Sequence, residues 1–136
     1  MERTLQQTNS NCIKVVLFGP ESTGKSTLAK DLADHYNSIY IEEYAREYLQ
    51  KKYDLNQEIC SYDDLMTIAK GQIRLENEAS KKCNSILFCD TDLLTTKIYS
   101  EIYFDKCDPL INEYAIKNKY DLYLLMDVDI PWVKDD

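Results

Sequence analysis

Gly19-Pro20-Glu21-Ser22-Thr23-Gly24-Lys25-Ser26 fits the pattern G-x-x-x-x-G-K-[ST] without a mismatch. An apolar run, Ile13 to Phe18, leads into it, and a helical pattern from Lys25 to about Tyr36 leads out. The chain has three glycines and this loop holds two of them. Such a loop curls its backbone N–H groups around phosphate oxygens, and a Cβ at the glycine positions would hinder both the curl and the close approach. The helix that follows adds the positive end of its dipole. The expectation is a bound nucleoside triphosphate, cradled by Gly19, Glu21, Ser22, Thr23 and Gly24. Lys25 is expected at the β- and γ-phosphates and Ser26 at Mg2+. The alternative, a glycine-rich turn that binds nothing, does not account for the strand before the loop and the helix after it.

Outward from this loop, strands and helices alternate. A short second strand is expected over Ser38–Ile41, a helix over Tyr44–Lys52 and a loop over Asp54–Cys60. Ser61 is the expected N-cap of a helix reaching Lys82. Then come a third strand, Ser85–Cys89, closed by Asp90, helices over Leu93–Tyr103 and Pro109–Asn118, and a fourth strand over Asp121–Met126. Pro131–Asp136 starts a further element. The pattern predicts a three-layer α/β domain with a mainly parallel sheet and right-handed crossovers. Residues 1–12 read as a flexible tail and residues 13–136 as one domain.

Bulk properties narrow the function class. A net charge of −8 leaves no basic surplus to displace counterions, so nucleic acid is not an expected partner. No apolar run approaches membrane-spanning length, and residues 1–11 are too polar for a secretory leader. Cys12, Cys60, Cys83, Cys89 and Cys107 are odd in number and contain no C-x-x-C pair, so they read as reduced thiols of a cytoplasmic protein. The sequence assigns no oligomeric state.

In a parallel sheet, ligands collect beyond the carboxyl ends of the strands. Glu42–Glu43, Asp90–Thr91–Asp92 and Asp127 are therefore expected in one cleft with the loop. Asp90, after Ile86-Leu87-Phe88-Cys89, has the form of a Walker B acid that orders Mg2+; its other reading is a helix cap, a task that suits Asp92 better. Glu42 and Glu43 end the strand expected beside the loop strand, where a carboxylate can orient an attacking hydroxyl. Alternation turns them to opposite faces, so one at most enters the cleft. Their other reading is two solvated acids at a helix start. Arg46 either clamps a phosphate or hydroxyl or pairs with Glu42 or Glu43. Gly71, in mid-helix beside Gln72, implies close packing or a closely approaching ligand.

Taken in order, Gly19 to Leu28, Glu43-Tyr44-Ala45-Arg46-Glu47, Gly71-Gln72, Asp90-Thr91-Asp92 with Thr95-Thr96, and Asp121 to Leu125 followed by Pro131-Trp132-Val133 resemble the ribosylnicotinamide kinase domain of NadR-type proteins, within the P-loop nucleoside kinases. The likeness covers nearly all of the chain after Lys14. It implies γ-phosphoryl transfer from ATP, with Mg2+, to the 5′-hydroxyl of nicotinamide riboside. It also implies that Gly24, Lys25, Ser26 and Thr27 hold phosphates and metal. Asp90 becomes the Walker B acid, Glu43 the group that orients the hydroxyl, and Arg46 a substrate or phosphate contact. Asp92 and Gln72 become contacts to ribose or base. Other outcomes are a kinase for another nucleoside or metabolite, or a regulatory ATP-binding module without transfer. In that family an arginine-bearing lid, a further strand and a helix follow the position of Asp136, so this chain alone is expected to be C-terminally incomplete and weakly active or inactive.

Overall fold

The computed structural model describes residues 5–8, 10–19, 24–83 and 85–125. Expectations for Pro20–Thr23 and for Met126 onward, including Asp127 and Pro131-Trp132-Val133, fall outside these residues.

The elements run β1 (Ile13–Phe18), α1 (Lys25–His35), β2 (Ile39–Ile41), α2 (Tyr44–Asn56), α3 (Asp64–Lys82), β3 (Ile86–Asp90), α4 (Leu93–Phe104), α5 (Pro109–Lys117) and β4 (Leu122–Leu125). The strands are parallel in the order β2-β3-β1-β4. The order corrects one expectation: β2 does not lie beside the loop strand, because β3 is inserted between them.

Period-2 alternation decides what each face of the sheet holds. Val15, Leu17 and Phe88 pack with Ala29 and Ala33 of α1. Val16, Leu87 and Cys89 turn the other way, against Leu75 and Ala79 of α3. Asp90 shares the parity of Phe88, so its side chain is carried to the α1 face, where the phosphate loop ends. Lys14 shares the parity of Val16 and is carried toward α3. A third cluster lies among the helices, with Leu65, Ile68, Ala69 and Ile73 of α3 against Leu93, Ile111 and Tyr114.

Leu5 is fully buried in that third cluster. Asn118 Nδ2 donates to the Leu5 carbonyl, Gln7 Nε2 to Glu76, and the Thr8 amide to Asn77 Oδ1. The segment expected to be a flexible tail is thus anchored through Leu5, Gln7 and Thr8, while Gln6, Ser10 and Asn11 are exposed. Cys12 and Cys83 form a disulfide that joins the start of β1 to the end of α3, which corrects the expectation of five reduced thiols; Cys60, Cys89 and Cys107 are free. No helix of the described residues is long and apolar enough to cross a membrane.

The α2–α3 connection also departs from expectation. Helix α2 continues four residues beyond Lys52 and stops where Gln57 takes a left-handed conformation, φ 57°. The N-cap position of α3 is Asp63, not Ser61. Asp64 instead reaches back to accept from the Ser61 amide (2.8 Å) and hydroxyl (3.1 Å), and also from Tyr48 Oη (2.9 Å) and Lys52 Nζ. Burial alone would raise the Asp64 carboxyl, but these donors more than offset it and hold it at about 2, below its ordinary 3.8. A depressed acid stabilises the fold above its unfolded value and loses that contribution as pH falls through the folded one. Stability is therefore expected to drop by about 1 kcal/mol, after solvent screening, between roughly pH 4 and pH 2 through this group. Urea denaturation across that window should show a steeper loss in the wild type than in Asp64→Asn; parallel curves would contradict the assignment.

Candidate active site

Four charged side chains from three strand ends meet at the start of α1. Lys25 Nζ lies 2.5 Å from Asp90 Oδ1 and 3.2 Å from Glu43 Oε1. The Ser26 hydroxyl donates to Asp90 Oδ2 (2.5 Å) and accepts from Arg46 Nη1 (2.8 Å). Arg46 Nη2 donates to Glu43 Oε1 at 3.0 Å, and Nη1 lies 3.9 Å from Asp90 Oδ2. Lys25 is 2% exposed and Asp90 is fully enclosed. Of the two readings of Arg46, the pairing with Glu43 is the one seen, and its guanidinium also donates to the Ser26 hydroxyl. Two cations balance two carboxylates, so the cluster is near neutral as it stands. Each of its polar groups can exchange a protein partner for a phosphate oxygen or a divalent cation.

Local backbone explains how these groups converge. Gly24, at φ 79°, occupies the N-cap position of α1 in the left-handed region that only glycine enters without strain. Gly19, at φ 146°, is likewise in a conformation that disfavours a side chain. Thr27 is exposed on the first turn of α1. Glu43 holds the N-cap position of α2 in an extended conformation, yet its carboxylate makes no cap hydrogen bond. It is turned toward Lys25 and Arg46, while Glu42 is exposed. That agrees with one carboxylate entering the cleft.

After Asp90 the chain turns sharply. Thr91 has φ 79°, costly for a β-branched residue by about 1–3 kcal/mol. Its amide donates to the Leu17 carbonyl at 3.0 Å, and its hydroxyl pairs with that of Thr95 at 2.6 Å. The turn aims Asp90 at the loop and sends Asp92 elsewhere. Asp92 takes the N-cap position of α4 but makes no side-chain cap bond. Its Oδ2 accepts from Tyr123 Oη at 3.1 Å, and its Oδ1 has no partner among the described residues. Burial raises its carboxyl to about 6. Gln72 is 4% exposed, with both ends of its amide on the backbone around Glu43.

A cavity of about 170 Å3 opens beside the cluster, bounded by Glu43, Arg46, Ile68, Thr91, Thr95 and Tyr99. A larger recess of about 650 Å3, lined in part by Gln7, Lys14 and Asp121, holds none of the strand-end acids and is not the candidate site. Thr91 was expected in the cleft as part of Asp90–Thr91–Asp92, whereas Tyr99 carried no signal as a single residue in the sequence. Helix α4 has its apolar stripe on the outer side: Ile98 and Ile102 are exposed, whereas Leu93, Thr96 and Ser100 are buried. A strictly hydrophobic reading of α4 thus points away from the face that borders the cavity.

A family model described as an AAA domain matches residues 14–136. The chain belongs to that family. Among curated proteins, this AAA domain is 32% identical over 121 residues to the "Trifunctional NAD biosynthesis/regulator protein NadR" of Salmonella typhimurium and, equally, of Escherichia coli. The match covers 89% of this chain and 30% of each relative, so the chain spans under a third of their length. Among solved structures it resembles a NadR protein in complex with NR, at 30% identity and TM-score 0.73, over 84% of this chain and 33% of that one. It also resembles a NadR protein in complex with NAD and AMP-PNP, at 30% identity and TM-score 0.71, over 84% of this chain and 34% of that one. The AAA domain shares the parallel P-loop α/β fold of these structures.

Proposed function

We propose that this AAA domain is a small-molecule kinase that transfers the γ-phosphoryl group of ATP to the 5′-hydroxyl of nicotinamide riboside, giving nicotinamide mononucleotide. One observation carries the reading. Glu43, beyond the needs of nucleotide binding, is held against the phosphate-loop lysine and also borders an adjoining cavity. A nucleotide hydrolase needs no second pocket; a kinase does, and it needs a carboxylate between pocket and phosphate to orient the acceptor hydroxyl. Support also comes from the relatives, one seen with NR and another with AMP-PNP.

The residues divide the work by position. Glycine backbone and the α1 terminus receive the phosphates, with Glu21, Ser22, Thr23 and Thr27 as further loop contacts. Lys25, released from Asp90 and Glu43, neutralises the β- and γ-phosphates. Ser26 and Asp90 supply two hard oxygens 2.5 Å apart, a donor set that fits Mg2+. When bound there, the ion would offset charge on the transferred phosphoryl group. Arg46 is placed to hold the acceptor or the γ-phosphate after leaving Glu43. Asp92 faces Tyr123, so it is not proposed to touch substrate. The setting of this chemistry is proposed to be cytoplasmic.

The decisive experiment uses full-length protein with ATP and Mg2+. Nicotinamide riboside should be phosphorylated well above the rate of ATP hydrolysis, and Glu43→Gln should lower kcat by roughly 10²-fold with little change in ATP affinity. A variant that turns over normally would remove Glu43 from the mechanism. Preference for another nucleoside would transfer the same reading to that acceptor, and ATP binding with no acceptor used would favour a regulatory module.

A further inference from the structure

Gly71 sits in the middle of the unbroken helix α3 for no reason internal to it. Glycine in mid-helix costs about 0.8–1.0 kcal/mol relative to alanine. What the pair does lies across the interface with α2. A Cβ on Gly71 would fall 2.3–2.6 Å from the ring of Tyr44, so only glycine lets the first residue of α2 come this close to α3. That approach brings the Gln72 side chain onto the chain just before α2. Gln72 Oε1 accepts from the Tyr44 amide at 2.8 Å, and Nε2 donates to the Glu42 carbonyl at 3.3 Å. One buried amide thus grips the backbone on both sides of Glu43.

The two bonds have a consequence for Glu43. The first N–H groups of a helix need acceptors, and the N-cap side chain ordinarily supplies one. Here Gln72 accepts from the Tyr44 amide, the first of these, which an N-cap side chain does not serve; the Arg46 amide is bonded to the Glu43 carbonyl at 3.2 Å, and the Glu43 carboxylate makes no cap bond. It is left to face Lys25 and Arg46 instead.

We infer that Gln72 is a positioning residue that pins the backbone on both sides of Glu43 and so holds the Glu43 carboxylate at the junction of phosphate loop and acceptor cavity. Gly71 provides the clearance that makes the grip possible. The inference rests on the acceptor-orienting role proposed for Glu43. It differs from the direct ribose or base contact expected for Gln72: the residue borders the cavity, but each end of its amide already bonds the backbone beside Glu43.

Gln72→Met keeps the bulk of the side chain and removes both bonds. In full-length protein its kcat for nucleoside phosphorylation should fall about 10- to 100-fold, the scale on which a misplaced catalytic group is felt. KM for ATP should move by less than about threefold, since phosphate binding is untouched. In a Glu43→Gln background the same change should have almost no further effect on kcat. Equal losses in both backgrounds would mean that Gln72 acts through general stability and would overturn the inference. So would a raised nucleoside KM with kcat intact, which marks a substrate contact. Should Gln72→Met fail to fold, Gln72→Glu retains the acceptor for the Tyr44 amide and is put through the same cycle. Exchange of the Tyr44 amide hydrogen separates the two readings. Faster exchange in Gln72→Met than in Gln72→Glu upholds the grip even if Glu43→Gln were active and the Glu43 role fell; equal exchange in wild type and Gln72→Met removes the grip whatever Glu43 does.

Discussion

Asp90→Ala is expected to cut phosphoryl transfer by roughly 10²- to 10³-fold or more, the scale of losing one preorganised charge at a reacting centre. It should also weaken the fold. The carboxylate is fully enclosed and contacts Lys25 Nζ and the Ser26 hydroxyl through separate oxygens. Removing it leaves a lysine that is 2% exposed with Glu43 as its remaining carboxylate, at 3.2 Å. Breaking one side of a buried pair costs about 3–5 kcal/mol, and the surviving Glu43 contact should hold the loss near the lower end. Activity and stability can be separated. Adding Lys25→Met to Asp90→Ala removes the orphaned charge, so denaturant stability should recover in part while transfer is not restored. If Asp90→Ala were as stable as the wild type and as active, the site described above would be misassigned.

Glu76→Ala should produce the largest loss of stability away from the site, again about 3–5 kcal/mol. Glu76 is 2% exposed on α3 and faces Lys14 of β1, itself 5% exposed, at 3.1 Å. Its Oε2 also accepts from Gln7 Nε2 at 2.9 Å, and its Oε1 from Tyr120 Oη at 2.5 Å. The acid therefore joins β1, α3, the N-terminal segment and the turn before β4. Truncating it strands a buried ammonium and the Tyr120 hydroxyl. Replacing both ions, Lys14→Met with Glu76→Leu, should restore part of the loss, because an apolar pair needs no mutual satisfaction; the Tyr120 hydroxyl would still lack its acceptor, whereas Gln7 Nε2 keeps the Lys119 carbonyl at 2.8 Å. Chemical denaturation reads both. A Glu76→Ala midpoint equal to the wild type would show that water reaches Lys14 in the native state.

The phosphate loop, the apolar parallel strands and the helix that follows Gly24 were legible because each is a local pattern. Asp90 was legible for the same reason, as an acid closing an apolar strand. Strand order was not: periodicity says which face a residue occupies, not which strand lies beside which, so β3 between β1 and β2 went unread. Pairings at long range escaped as well. Cys12 and Cys83 are 71 residues apart and neither belongs to a recognisable spacing. Leu5 is one apolar residue in a polar stretch, yet it enters the helical core. Asp54-Leu55-Asn56 has loop composition but continues α2 with all three residues exposed, and ends only where Gln57 turns left-handed. Lys14 and Glu76 did leave a trace, as single charges within apolar patterns, and each proves to be the other's partner. Gln72 was noticed through its glycine neighbour, but its role depended on Tyr44 and Glu42, which a helical pattern cannot place.

The insertion of β3 between β1 and β2 has a consequence for the newborn chain. The phosphate loop and α1 leave the ribosome flanked by two strands that do not pair with each other. Both wait for β3, whose first partner pair joins Ile13 to Ile86. Lys25 and Asp90 are 65 residues apart, so at about 5–20 residues per second the lysine exists for roughly 3–13 s before its counter-ion is made. During that interval the loop is a sequence without a site. Strand β3 joins β2 to β1 and brings Asp90 to Lys25 in the same event, and β4 adds to the free side of β1 afterwards.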